Sequence, residues 1–203
     1  MLTLLRLSST LFILIVGLMF GALAVGAADA ANPALLGFRQ GCEDQPQPCW
    51  YGIIPGVTDV NHATAILEGM LYTRSQGGYE LSDRVIPYRS QEESPRCTDI
   101  YFGYRIIGVR TVVLYCMALR IGDVMTMLGP PHARISYGPL GEAWLYDRVV
   151  VRLAAGWQQQ PSAMVDHIRL LLDNAGYVKT AAPWHGFLPR WRYCQLEPNY
   201  AGC

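Results

Sequence analysis

The fold is decided by Asp99-Ile-Tyr-Phe-Gly-Tyr-Arg-Ile-Ile-Gly-Val-Arg-Thr-Val-Val-Leu-Tyr-Cys116. It is dense in aromatic and β-branched residues, with a glycine at 108, and reads as a β-hairpin or two strands. Three further apolar-aromatic runs follow: Ala133–Tyr137, Glu142–Tyr146 and Val149–Ala154. Turn residues part the first two and Asp147-Arg148 parts the others, which reads as an antiparallel meander. Between hairpin and meander lies Leu119-Arg-Ile-Gly-Asp-Val-Met-Thr-Met-Leu-Gly-Pro-Pro131. A short helix fits Asp123–Leu128. Gly129 and the two prolines stop it, because proline lacks the backbone donor and clashes with the preceding turn.

Upstream, residues 49–70 hold the Pro55-Gly56 turn and a second helix, with Thr58 as the expected cap. Its apolar positions Val60, Ala63, Ile66, Leu67 and Met70 follow the 3.6-residue period. Residues 71–99, with Gly77-Gly78, several charges and two prolines, read as a long loop. Residues 161–175 fit either a helix bounded by Pro161-Ser162 and Asn174-Ala175-Gly176 or a strand alternating through Ile168, Leu170 and Leu172. The fold class is therefore α+β, with short helices packed on an antiparallel sheet. Residues 49–117 and 118–180 share a plan, a glycine, a capping residue and a short helix before strands, and form a weak twofold repeat. Residues 31–48 are polar and proline-rich, a linker, and residues 181–203 are an aromatic, arginine-rich tail.

No charge lies between Arg6 and Asp29, and Leu11 to Ala28 is almost wholly apolar. Residues 1–30 thus read as a signal peptide cut after Ala30, or as an uncleaved single-pass anchor. Either places the remainder outside the cytoplasm, with membrane contact only through this segment. All six cysteines, Cys42, Cys49, Cys97, Cys116, Cys194 and Cys203, follow the leader, and an even set in an exported chain points to disulfides. Cys42–Cys49 and Cys194–Cys203 are the local pairings, and Cys97 meets Cys116 if the intervening strands form a hairpin. No CxxC spacing or HExxH is present, so no metal and no cofactor is expected.

The stretch Ile121-Gly-Asp-Val-Met-Thr-Met-Leu-Gly-Pro-Pro131, followed by strands ending in Trp144-Leu-Tyr146, resembles the helix–LGxP–hairpin signature of small BamE/SmpA-like envelope domains. β-Lactamase-inhibitor-like modules use the same plan. Cys49-Trp-Tyr-Gly-Ile-Ile-Pro-Gly-Val-Thr-Asp-Val60, continuing to Ala65-Ile-Leu67, resembles a segment of uncharacterised exported proteins of Chloroflexota-type bacteria. The resemblance covers about 49–70 and 117–172. It implies short helices on an antiparallel sheet and favours a strand at 164–172. Its motifs are structural and carry over no partner-binding residue. The 71–99 insert, the missing lipobox and the added cysteines depart from it.

Charge bounds the partners. The chain has 203 residues with 16 basic and 16 acidic side chains. Charged residues are 16% of the chain, against about 25% in an ordinary soluble domain. Nothing basic dominates, which excludes a dedicated nucleic-acid binder. The 51% hydrophobic content excludes a disordered chain.

Catalytic constellations are thin. Gln40-Gly41-Cys42 and Pro48-Cys49-Trp50, with His185 and Asn199 far downstream, carry the spacing of a papain-like cysteine hydrolase centred on Cys49 and His185. Yet Pro55-Gly56 breaks the long helix that would lower the thiol pKa. Asp166-His167 near Ser162 names three triad residue types without a GxSxG elbow. His62, His132, His167 and His185 are scattered, and there is no P-loop or GxGxxG. The best contact-surface candidates are Trp184, Phe187, Arg190, Trp191, Arg192 and Tyr193, residue types enriched at interface hot spots. The competing role for this tail is to fold back over an apolar face or open sheet edge. The expected function is that of a non-enzymatic, exported or membrane-tethered envelope module that binds an unidentified protein or envelope component. The alternatives are the cysteine hydrolase and a single-pass anchored sensor.

Overall fold

Strict alternation through Ile100, Phe102, Val112 and Leu114, all buried, sets one face of the hairpin inward. The computed structural model describes residues 11–17, 32–75, 85–92, 97–105, 108–116, 118–137, 141–154, 160–173, 175–178 and 181–198. The hairpin is formed by β3 (Asp99–Arg105) and β4 (Gly108–Tyr115), with a register shift between Gly103 and Tyr104. Before it come a 3-10 helix, Pro33–Phe38, then α1 (Val60–Gly69), β1 (Tyr72–Arg74) and β2 (Val85–Ser90). After it come α2 (Ile121–Leu128), β5 (Ala133–Ser136), β6 (Glu142–Leu145), β7 (Val149–Leu153) and β8 (Val165–Leu171). The tail adds α3 (Ala175–Val178), β9 (Ala182–Pro183) and α4 (Arg190–Leu196).

The nine strands form one sheet in the order β1-β2-β3-β4-β8-β7-β6-β5-β9, antiparallel throughout. This is the α+β class expected from the strand and helix signals. Two meanders, β1–β4 and β5–β8, abut where β4 pairs with β8. Each is preceded by a helix, and the two helix entries are tied down alike. Asp59, the N-cap of α1, bridges Gly108 at the start of β4. Arg120, the N-cap of α2, bridges Met164 just before β8. In both halves the helix start is therefore pinned to the last strand of its own meander.

Asp59, not Thr58, caps α1: its Oδ1 accepts from the amides of Asn61 and His62. Thr58 Oγ1 instead accepts from the Ile54 amide and donates to the Gly52 carbonyl, closing the Pro55-Gly56 turn. Residues 71–99 are not one loop, since β1 and β2 lie within them. Pro87 argued against a strand, but its carbonyl accepts from the Ser75 amide, one residue beyond β1. Its missing N–H thus points to the side where β1 has already ended, a position an edge-proximal strand tolerates. Residues 31–48 are no linker, because Ala34, Leu35 and Phe38 are buried in the main core. The ambiguous 161–175 stretch resolves into β8 followed by α3.

That core lies between the helices and one sheet face. Trp50, Ile53, Ala63, Leu67, Ile121 and Val124 meet Phe102, Leu114, Val151 and Ile168 there. Gly37 lets the 3-10 turn sit on the Trp50 indole: a Cβ at Gly37 would fall 2.4 Å from Trp50 Nε1. The α2 start is equally close, with Ile121 and Gly122 amides donating to the Ala163 and Pro161 carbonyls.

The chain divides into two compact units, Met1–Pro33 and Ala34–Cys203. In the first, residues 11–17 are helical, with Leu11, Phe12, Ile13 and Leu14 exposed. Among the described residues no helix is long and apolar enough to cross a membrane. Most of the 1–30 leader, and its cleavage site, lies outside the described residues.

Cys42–Cys49 and Cys97–Cys116 are disulfides, as the local and hairpin readings anticipated. Cys194 is also disulfide-bonded, and Cys203 lies outside the described residues. The Cys97–Cys116 bridge closes the open end of the β3–β4 hairpin, where Asp99 pairs with Tyr115. Closing a loop of this length removes about 3 kcal/mol of unfolded-state entropy. A Cys97→Ala/Cys116→Ala double variant is therefore expected to lose roughly that much stability in urea denaturation, with the fold retained.

Candidate binding surface

The second sheet face is where side chains with chemistry collect. Sheet register places Tyr101, Val113, Arg169 and Val150 in one cross-strand row, and Asp99 beside Tyr115 in the next. His167 faces Arg152 across β8 and β7. All point away from the main core, and Tyr101, Val113, Tyr115, Arg152 and Arg169 are half-buried. One end of the face is closed by a small apolar cluster of Ala143, Leu145, Val150 and Leu171, with Tyr137 of the β5–β6 turn and Tyr177 of α3 packed on it.

The open part is an ordered aromatic and cationic patch. The Tyr101 and Tyr115 rings meet edge-on at 5.5 Å, and Tyr115 meets the His167 ring at 5.1 Å. Asp166 Oδ2 lies 2.9 Å from His167 Nδ1, and Arg169 Nε donates to His167 Nε2 at 3.0 Å. His167 is therefore the neutral imidazole with its proton on Nδ1, since Nε2 must accept from a guanidinium that cannot. Arg169 Nη1 also donates to the Tyr177 hydroxyl, and Arg152 lies over the Tyr137 ring at 5.1 Å. Burial raises the pKa values of Tyr115 and Tyr137, keeping both as neutral donors.

This geometry bears on the Ser162-Asp166-His167 grouping. The His167 nitrogen that would take a serine proton is occupied by Arg169, so the trio lacks a free base. Cys49 is fully buried and bonded to Cys42, so it has no thiolate. His185 pairs with Glu197 at 3.1 Å and stacks near Tyr193, while Asn199 lies outside the described residues. Among the described residues no group of His, Cys, Asp and Glu side chains can hold a metal.

The aromatic tail divides. Trp184 and Phe187 pack on the fully buried Trp144 at 5.9 and 5.6 Å. Tyr193 is buried, accepts from the His185 amide and donates to the Gly186 carbonyl. Beneath its ring lies the Arg134 guanidinium, 3.9 Å from the centroid, itself bonded to Glu142. Pro183 pairs with Ala133, so β9 also covers the β5 edge. These residues therefore cover the sheet end, which is the fold-back role weighed for the tail. Trp191 is exposed, Arg192 donates to Gln195, and Arg190 opens α4. The tail thus offers Trp191 and Arg192 to solvent, while the larger polar-aromatic display is on the opposite sheet face.

Reading the sequence had not assembled that face. Its signal was alternation: Tyr101, Val113 and Tyr115 sit between the inward Ile100, Phe102, Val112 and Leu114. What alternation alone cannot supply is the β4–β8 pairing that brings His167 and Arg169 beside them. No family model, curated protein or solved structure matches this chain.

Arg134 and Glu142 are both buried, with side chains 0% and 2% exposed. Arg134→Ala strands a buried carboxylate and is expected to cost about 3–5 kcal/mol, whereas Arg134→Met/Glu142→Met costs much less. Chemical denaturation of the two variants distinguishes them. For His167, burial and then Arg169 hold the ring pKa below its ordinary 6.5, opposed by Asp166. The unfolded chain therefore binds that proton more readily than the native state, so stability is full above the ordinary pKa and declines as pH falls through it. Denaturant midpoints are expected to drop between about pH 7.5 and about pH 5.5 in the wild type, and His167→Gln should flatten that slope.

Proposed function

We propose that this chain is a non-enzymatic, exported or membrane-tethered module of the cell envelope that holds a protein partner on the open face of its sheet. The observation that carries the reading is the half-buried Tyr101, Tyr115, Arg169, Arg152 and Tyr137 patch, set on the buried His167 ring. Tyrosine and arginine are hot-spot residues because they combine large contact area with a polar end. Here most are already fixed by neighbours: Arg169 by His167 and Tyr177, and Tyr115 by two rings. Little rotamer entropy then remains to be lost on binding.

Disulfides point to an oxidising, extracytoplasmic setting. The apolar Leu11 to Ala28 segment adds the route of export or the tether. The two helix-then-meander halves fit the short-helix, antiparallel-sheet plan that the sequence resemblance to BamE/SmpA-like and β-lactamase-inhibitor-like units implies. The buried Cys42–Cys49 bridge weighs against a hydrolase centred on Cys49 and His185.

A photo-crosslinking residue at position 101 or 115, in cells carrying the protein at its native level, is expected to trap a discrete protein adduct. The same residue at Trp191 should not trap it. Titration of the isolated partner should then show Tyr115→Ala or Arg152→Ala weakening the complex by about 2 kcal/mol, roughly thirtyfold in Kd. Unchanged affinity in both variants would remove the open face from the interface.

A further inference from the structure

On the helix-bearing side of the sheet, away from the open face, lies a cavity of about 400 Å³. That volume is within the range of small-molecule sites. Its walls come from distant parts of the chain: Phe38 and Arg39 from the 3-10 turn, Leu128 from the end of α2, and Tyr146 and Arg148 from the β6–β7 hairpin. The Cys42–Cys49 loop adds Gln47 and Pro48, so a disulfide holds one wall in place.

Its chemistry is two-sided. Phe38, Leu128 and Val149 give an apolar lining, whereas Arg39 and Arg148 give a cationic one. The four ion pairs among the described residues involve neither Arg39 nor Arg148. Asp147 is the one carboxylate in the lining. Tyr146 is 95% buried by its 5% exposure, and its hydroxyl has no hydrogen-bond partner among the described residues. A buried hydroxyl is ordinarily partnered, since leaving it unsatisfied is costly.

We infer that this cavity is a binding site for an amphipathic carboxylate, an apolar body of about ten to fifteen non-hydrogen atoms bearing one anionic group. The apolar body lies against Phe38 and Leu128. The carboxylate meets Arg39 and Arg148, whose guanidinium forks suit its two oxygens. The site is independent of the protein-binding surface, so either can fail without the other.

The test is an NMR titration of the intact, isotope-labelled chain with 4-phenylbutyrate and, separately, with the uncharged 4-phenylbutan-1-ol. The carboxylate is expected to shift the amides of Arg39, Leu128 and the Tyr146–Val149 turn saturably, with Kd on the order of a millimolar or tighter. The alcohol should bind at least about fivefold more weakly. Arg39→Ala at an exposed position and Arg148→Ala at a half-buried one, each checked for an unchanged amide spectrum, should each weaken the carboxylate about threefold or more and leave the alcohol unchanged. Absence of saturable shifts at these amides overturns the site. Equal affinity for the two probes, unaltered by the arginine variants, overturns its anion selectivity and with it the assignment.

Discussion

Everything in this structure hangs on the pairing of β4 with β8. Val112 faces Leu170 and Leu114 faces Ile168 across it, all four buried. Either meander alone would end in a strand with unpaired backbone groups and an exposed apolar edge, which is an invitation to aggregate. Joined at this seam, the two make one sheet whose outer edges are the three-residue β1 and the two-residue β9. Short edges offer little template for another chain. The seam also aligns two amphipathic helices over one continuous apolar face, so that neither half needs a complete core of its own.

Local signals were legible wherever the physics is local. Aromatic and β-branched density marked β3–β7, a glycine followed by prolines marked the end of α2, and the cysteines flanking the hairpin marked their own bridge. What misled was reading polar or proline-bearing text as unstructured. Pro87 is harmless because its absent donor faces a finished strand, a fact set by tertiary pairing and not by its neighbours in sequence. Likewise Ala34, Leu35 and Phe38 sit in a stretch that is mostly polar, proline and glycine, yet all three are buried. Their burial depends on Trp50, which Gly37 allows to approach, and no helical or strand period announces such a contact. The open-face patch was hidden for the same reason: Tyr115 and His167 become neighbours only through the long-range seam.

The tail shows how composition can point to the right chemistry in the wrong place. Tryptophan, tyrosine and arginine are concentrated in residues 184–193, yet Trp184, Phe187 and Tyr193 are used internally. The reason lies beneath them. β6 and β5 place Arg134, Glu142 and Trp144 on the helix-side face, and at that end an arginine and a glutamate would otherwise stand partly in water. An aromatic lid excludes that water while offering the guanidinium a π face, which a plain aliphatic lid would not. The polar pair and its cover are thus mutually dependent, and the aromatic residues there are consumed by the fold.

The same logic separates the two sheet faces by chemistry. On the helix side the Arg134–Glu142 pair is held under cover, and Arg39 and Arg148 lie at the cavity beside the β6–β7 hairpin. On the other side, burial is partial and the polar groups form a continuous chain from Asp166 through His167 and Arg169 to Tyr177. A sheet face needed only for stability would be served by small or uniformly solvated residues. This one carries rings and guanidinia held rigid yet accessible, in a chain with few charges to spare. The low charge content therefore describes a surface in which amphipathic side chains replace ordinary solvated ones, concentrated where the helices do not reach.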